Sequence, residues 1–219
     1  MIDHKTLDAL HKKIPVDFYH GGIKRNIFQR VWHKKRFNEI LKMIKQLGIT
    51  TGDKILDLGC NTAYLSHMVS NATGADVTGM DISDKAIEWA REKYGKNITL
   101  IAQDISKDLP FNENTFTLVM AFDVLEHIID LEKTILSVRK ILKDQGIFIV
   151  SFPIENFLFK IIWRVWTTTK GKVLKGIHVR NITSKTMTQL LAQHGFRKIS
   201  ERSTHLSMWY LGTFQLSKK

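Results

Sequence analysis

The chain has 219 residues, 43% of them apolar, which is enough for one sizeable α/β domain and argues against disorder. Its one cysteine, Cys60, excludes an intrachain disulfide and a thiolate metal cluster, and reads as a small packed residue rather than a nucleophile. The net charge of +12 is uneven: residues 1–54 carry +7, residues 55–150 carry −5 and residues 151–219 carry +10, so the basic flanks either suit an anionic partner or form a well-solvated surface.

The start, Met1-Ile2-Asp3-His4-Lys5, lacks the apolar core of a secretory signal. No apolar run approaches the ~20 residues needed to cross a bilayer. The expected address is therefore cytoplasmic, or peripheral at a membrane. The whole chain is expected to form one domain. Residues 1–50 supply N-terminal helices, 51–153 the central core, 154–182 a lid or substrate segment, and 183–219 a last helix and strand pair. Lys24–Leu47 reads as one or two amphipathic helices with Ile27, Val31, Phe37, Ile40, Leu41 and Ile44 on the apolar face. From Lys54 onward strands and helices alternate. Strands are predicted at Lys54–Leu58, Asp76–Met80, Ile98–Ala102, Phe116–Ala121 and Gly146–Phe152. Helices are predicted at Asn61–Asn71, Ser83–Tyr94 and Asp130–Leu142, with Ser83 and Asp130 as N-caps. Such alternation argues a mostly parallel, doubly wound sheet. Thr183–Gly195 reads as a helix. Phe196–Ser203 and Leu206–Leu216 read as two final antiparallel strands.

The stretch from Ile55 to Leu65 is the most informative. A buried strand ends on Asp57 and Gly59 and turns into a helix, the geometry with which open α/β sheets hold nucleotide-like cofactors. A dinucleotide fingerprint would need glycine where Tyr64 stands, and tyrosine there would obstruct helix–strand packing. Asp57-x-Gly59-x-Asn61-x-Ala63 instead resembles the first motif of class I S-adenosylmethionine (SAM) methyltransferases, an acidic residue followed by G-x-G-x-G. Asn61 and Ala63 replace the second and third glycines. Asn tolerates positive φ, and alanine is the next smallest side chain. The alternative is a SAM fold that has lost its cofactor and binds a membrane or a partner protein.

If that turn cradles SAM, later strand ends on the same sheet edge should complete the pocket. Asp81 follows Gly59 by 22 residues, a spacing at which a carboxylate reaches ribose hydroxyls. Asp104-Ile105 could accept from an adenine amino group and pack on its ring. The next strand ends in Phe122-Asp123. Together with Gly79-Met80-Asp81-Ile82-Ser83, Pro110-Phe111, Asp123-Val-Leu-Glu126-His127 and Val138–Gly146, the chain from about 54 to 153 looks like a class I methyltransferase of the subgroup that includes ubiquinone-biosynthesis O-methyltransferases. The resemblance implies a Rossmann-like seven-stranded sheet with the last strand antiparallel. It also implies SAM as cofactor, S-adenosylhomocysteine (SAH) as product, and Asp57, Gly59, Asn61, Asp81, Ile82, Asp104, Ile105 and Phe122 as cofactor-contacting positions.

Methyl transfer is an in-line displacement that depends mainly on positioning, with a base needed only for a protonated acceptor. Asp123, Glu126 and His127 form the best catalytic cluster. His127 could act as a base oriented by a carboxylate, the three could hold a divalent metal ion, or they could simply pack beneath the sheet edge. His178 and Arg180 are candidates for binding an anionic or phenolic acceptor. The run Phe157–Trp166, with Lys160 and Arg164 on a narrow polar edge and Trp163 near its boundary, reads as an apolar lid or an interfacial helix. The leading expectation is O-methylation of a small or lipid-like acceptor. Nucleic acid is the less favoured partner, since no recognisable RNA-binding appendage accompanies the basic flanks.

Overall fold

The computed structural model describes residues 27–168, 180–204 and 207–218. Its elements in order are α1 (Ile27–Gln46), β1 (Lys54–Leu58), α2 (Tyr64–Thr73), β2 (Asp76–Asp81), α3 (Asp84–Tyr94), β3 (Thr99–Ala102) and β4 (Phe116–Phe122). A short 3₁₀ turn (Leu125–His127) follows. Then come α4 (Leu131–Ile141), β5 (Leu142–Pro153), α5 (Phe157–Thr168), α6 (Ser184–Gln193), β6 (Phe196–Thr204) and β7 (Trp209–Leu216). The seven strands form one sheet in the order β3-β2-β1-β4-β5-β7-β6. Strands β1 to β5 pair in parallel, and β7 inserts antiparallel between β5 and β6. This is the doubly wound sheet expected from the strand–helix alternation.

Strand residues alternate between two cores, as the two-residue strand period requires. On one face Leu56, Met80, Val119, Phe148, Val150 and Phe214 pack with Ile135 and Val138 of α4 and Met187 and Leu191 of α6. On the other, Ile55, Val77, Leu118, Ile149 and Leu211 pack with Ile40, Met43 and Ile44 of α1 and Ile87 and Ala90 of α3. The caps behave as their chemistry dictates. The Ser83 hydroxyl accepts from the Ala86 N–H, the Asp130 carboxylate accepts from the Lys133 N–H, and Thr183 forms a reciprocal capping box with Thr186.

Two boundaries differ from the sequence reading for identifiable reasons. The second helix begins at Tyr64 rather than Asn61, because Asn61 and Ala63 have left-handed backbones that no α-helix accommodates. The fifth strand begins at Leu142 rather than Gly146. Leu142 is extended (φ −71°, ψ 139°) and pairs with Phe116, so the chain passes from helix to strand without a loop.

Ile44 is fully buried between α1 and the sheet. Ile44→Ala should therefore cost about 2–5 kcal/mol, read as a lowered urea midpoint with unchanged slope. A loss under 1 kcal/mol would show that α1 is not integral to this core.

Candidate cofactor and acceptor site

The C-terminal ends of β1 to β5 lie along one edge of the sheet. Leu58 is level with Met80 and Ala121, Asp81 with Ala102, and Phe122 with Ser151. Parallel pairing therefore brings Gly59, Asp81, Asp104 and Asp123 to a common edge from four separate strands. The strand order reverses beside β1, where open α/β sheets form their ligand crevice.

The loop after β1 is built by a run of hydrogen bonds. Gly59 and Cys60 both donate to the Met80 carbonyl, at 2.8 and 3.0 Å. Asn61 N–H donates to Asp81 Oδ2 at 2.8 Å, and Asn61 Oδ1 accepts from Thr62 N–H at 2.8 Å. Gly59, Asn61 and Ala63 all have positive φ, at 74°, 49° and 52°. The three glycine positions of the expected motif thus keep a glycine-like backbone although two carry side chains. Asn61 suits its position twice over, since it tolerates the left-handed region and its amide oxygen closes the turn. A Cβ on Gly59 would lie 2.5 Å from Val124 Cγ2, so this glycine is required by the chain that follows β4 as well as by its φ. Asn61→Ala removes both the tolerance and the turn-closing acceptor and should cost on the order of 1–2 kcal/mol in chemical denaturation, whereas Asn61→Gly should cost less. Equal losses in the two variants would discard this account of the turn.

The acidic residues at the edge have different environments. Asp57 is buried on the strand face that carries Ile55, and its Oδ2 accepts from Ser66 Oγ of α2 at 2.6 Å. Burial pushes its carboxyl up to about 7, opposed by the Ser66 hydroxyl and helped by the charge of Asp81. Asp81 is partly exposed, accepting from Asn61 N–H through Oδ2 and from Ser83 N–H through Oδ1 at 2.9 Å. Asp104 uses Oδ1 for Ser106, accepting from its N–H at 2.8 Å and its hydroxyl at 2.7 Å. Ile82 and Phe122 are half-buried beside Asp81 and Asp123. Ile105 is 5% exposed and belongs to the core with Leu109 and Ile128.

Asp123, with φ of 53°, turns inward from the end of β4. Its Oδ1 accepts from Ser151 Oγ at 2.7 Å and Trp209 Nε1 at 2.8 Å, while Oδ2 is ion-paired with Arg36 of α1. The Arg36 guanidinium also lies 4.5 Å from the centre of the Trp209 ring. Burial pushes the Asp123 carboxyl upward, but Arg36 and the Trp209 and Ser151 hydrogen bonds outweigh it and hold it below the ordinary value. Glu126 is buried, and its Oε2 has no hydrogen-bond partner among the described residues. Burial, then the charge of Asp123, push its carboxyl well above the usual range. His127 is half-buried on the same 3₁₀ turn.

Among the described residues no three His, Cys, Asp or Glu side chains come together as an ion would require. The reason is that Asp123 is committed to Arg36, Ser151 and Trp209. Arg180 donates from its guanidinium to the carbonyl of Ile129, two residues past the 3₁₀ turn. Trp163 stacks on Phe159, ring centres 5.4 Å apart. His178 lies outside the described residues. Sequence reasoning missed Arg36, Ser66, Ser151 and Trp209. Arg36 and Trp209 are 87 and 86 positions from Asp123, and no local pattern links them.

A family profile described as a methyltransferase domain matches residues 32–201. The chain belongs to this family and is a class I SAM-dependent methyltransferase by sequence and fold. It is 27% identical over 194 residues to demethylmenaquinone methyltransferase of Staphylococcus haemolyticus, covering 80% of this chain and 78% of that one. It is 26% identical over 157 residues to a sterol 24-C-methyltransferase of Gibberella zeae, covering 67% of this chain and 41% of the relative. Magnesium protoporphyrin IX methyltransferase of Synechocystis, solved with bound SAH, shares the fold with a TM-score of 0.77 at 20% identity, over 98% of this chain and all of that one.

Asp57 makes stability depend on pH with a definite sign. Its folded pKa lies above the ordinary 3.8, so its stabilising contribution is complete below that value and is lost as pH rises through about 7. Over this interval the unliganded protein should lose up to about 1.4 kcal/mol per pH unit from this group. Urea denaturation at several pH values should show that slope abolished in Asp57→Asn, and an unchanged slope would show that Asp57 is not its source.

Proposed function

We propose that the protein transfers a methyl group from SAM to a hydroxyl of a small, lipid-like acceptor. The observation that carries the cofactor half of this reading is the loop Gly59–Ala63. All three of its glycine-type positions are left-handed, and Asp81 closes it from the neighbouring strand. The edge residues fit the group. Asp81, partly exposed at the sheet edge, would accept from the ribose hydroxyls. Asp104 would accept from the adenine amino group, with Ile82 and Phe122 beside the nucleoside. Gly59 and Asn61 would line the side of the amino-acid moiety, and Asp57, locked to Ser66, would hold the loop from beneath rather than meet the ligand directly. When bound, SAM supplies an electrophilic methyl on a sulfonium.

The acceptor half rests on the half-buried Phe159–Trp163 stack and on the kinds of acceptor that relatives are named for, a quinone and a sterol. His127, on the turn after β4, is the candidate to take the acceptor's proton. Glu126 is poorly suited to that task, because its environment favours the protonated form. Arg180, held by the same turn, would receive an acceptor oxygen, and His178 belongs to the same proposal. Positioning then supplies most of the rate, since an in-line displacement needs little more than alignment and a deprotonated nucleophile.

Titration calorimetry with SAH tests the cofactor pocket. The parent should bind, and Asp81→Asn should bind about tenfold or more weakly, because an ionised acceptor to a diol is lost. If the parent binds neither SAM nor SAH, the enzymatic reading fails.

A further inference from the structure

The loop after β1 keeps glycine at only one of its three left-handed positions, and a left-handed backbone is not a sufficient reason. Asn61 and Ala63 carry side chains at φ of 49° and 52°, while Gly59, with φ of 74°, lies in the same broad region. What separates Gly59 from the other two is the space above it. A Cβ there would lie 2.5 Å from Val124 Cγ2, 2.9 Å from Val124 Cβ and 3.4 Å from Val124 Cγ1. The valine side chain therefore covers the Cα of Gly59. A β-branched side chain is stiff about χ1, so the two methyls form a fixed stop rather than one that swings aside.

Val124 has little room to retreat. Its side chain is half-buried and packs against the core that contains Leu125 and Ile128. Asp123, the residue before it, is fixed twice. Its N–H donates to the Ser151 carbonyl at 3.0 Å, and its carboxylate is held by Ser151, Trp209 and Arg36. After Val124 the chain enters the 3₁₀ turn, where the Val124 carbonyl accepts from the His127 N–H at 3.0 Å. One residue thus touches the cofactor-type loop with its side chain and holds the turn of His127 with its backbone.

We infer that Val124 is a positioning residue that sets the spacing between the cofactor loop and the turn carrying His127. It acts through Gly59 and needs no contact with the ligand. Displacing reacting groups by about 1 Å can cost on the order of a hundredfold in rate, so a fixed spacing between loop and turn bears directly on an in-line transfer. The inference rests on the reading of the loop as the SAM cradle and of His127 as the group that takes the acceptor's proton. It also accounts for the one glycine the loop retains: position 59 is kept bare by Val124, whereas nothing of the kind is required at Asn61 and Ala63, which already carry a Cβ.

The test is a double-mutant cycle on the full chain, read by SAH calorimetry with a urea midpoint for every variant. Gly59→Ala should weaken SAH binding about tenfold or more, because the added Cβ drives the loop away from Val124. Val124→Ala would still leave a Cβ 2.9 Å from the new one, so the compensating change is Val124→Gly. Gly59→Ala/Val124→Gly should bind SAH more tightly than Gly59→Ala alone, and losses that simply multiply overturn the assignment. The ring Cε1–H resonance of His127, identified with His127→Gln, should move in Gly59→Ala and return toward the parent position in the double variant. A resonance that stays fixed overturns the link to His127. If Gly59→Ala does not fold, Val124→Thr and Val124→Leu serve instead. The first keeps the β-branch and should bind SAH within about threefold of the parent, and the second should bind about tenfold or more weakly. Equal affinities of these two, or lowered urea midpoints with unchanged SAH affinity, would assign Val124 to core packing alone. A parent that binds SAH while the cycle is additive leaves the methyltransferase reading standing, whereas a parent that binds no SAH overturns that reading and this inference with it.

Discussion

The carboxylate of Asp123 is the point on which the site edge depends. One oxygen accepts from β5 through Ser151 and from β7 through Trp209, and the other meets Arg36 of α1. Three elements distant in sequence are thereby joined to the residue that ends β4. An ion pair that is even partly buried is weak evidence for net stability, because desolvation offsets much of the attraction. Its consequence here is geometric. With Asp123 turned inward at φ 53°, Val124 comes over Gly59 closely enough that no Cβ fits between them. The loop after β1 and the turn after β4 are therefore set against each other.

The site separates its carboxyls by environment. Asp123 is held below the ordinary range by a neighbouring cation, and Asp57 and Glu126 are raised by burial. Asp81 and Asp104 instead remain partly exposed on backbone and hydroxyl donors. A pocket for a cationic sulfonium and a polar nucleoside can use all three kinds. The paired carboxylate ties α1, β5 and β7 together, the buried Asp57 accepts from Ser66, and the partly exposed Asp81 and Asp104 accept from backbone and hydroxyl donors. Nothing in the residue type distinguishes these roles, because all of them come from what the tertiary structure places around each carboxyl.

The sheet was readable because its causes are local. Lys54–Leu58 is an apolar run between glycine-bearing turns, and the strand has those bounds. Ser83, Asp130 and Thr183 each precede an amphipathic stretch, and a side-chain oxygen there satisfies an orphan helix N–H within three residues. Alternation of such segments leaves little choice but a parallel sheet with helices on both faces. The left-handed turn was also anticipated in kind, since Asn61 and Ala63 are mild replacements for glycine. Its hydrogen-bond closure through Asn61 Oδ1 and Asp81 is set by the tertiary structure, because Asp81 stands on the neighbouring strand.

By itself the sequence determined the strand–helix order, the cofactor-type loop and the recurrence of acidic residues at strand ends. These are all set by periodicity, turn chemistry and spacing within a few tens of residues. Only the tertiary structure decided which acidic residues stay partly exposed at the sheet edge and which are buried or ion-paired within the scaffold. Asp123 read as part of a candidate catalytic cluster with Glu126 and His127, and its partners Arg36 and Trp209 stand 87 and 86 positions away. The same applies to Ile105, whose burial in the core with Leu109 and Ile128 no local pattern announces. Long-range packing sets the solvation and charge around a side chain, and these decide what a carboxyl does.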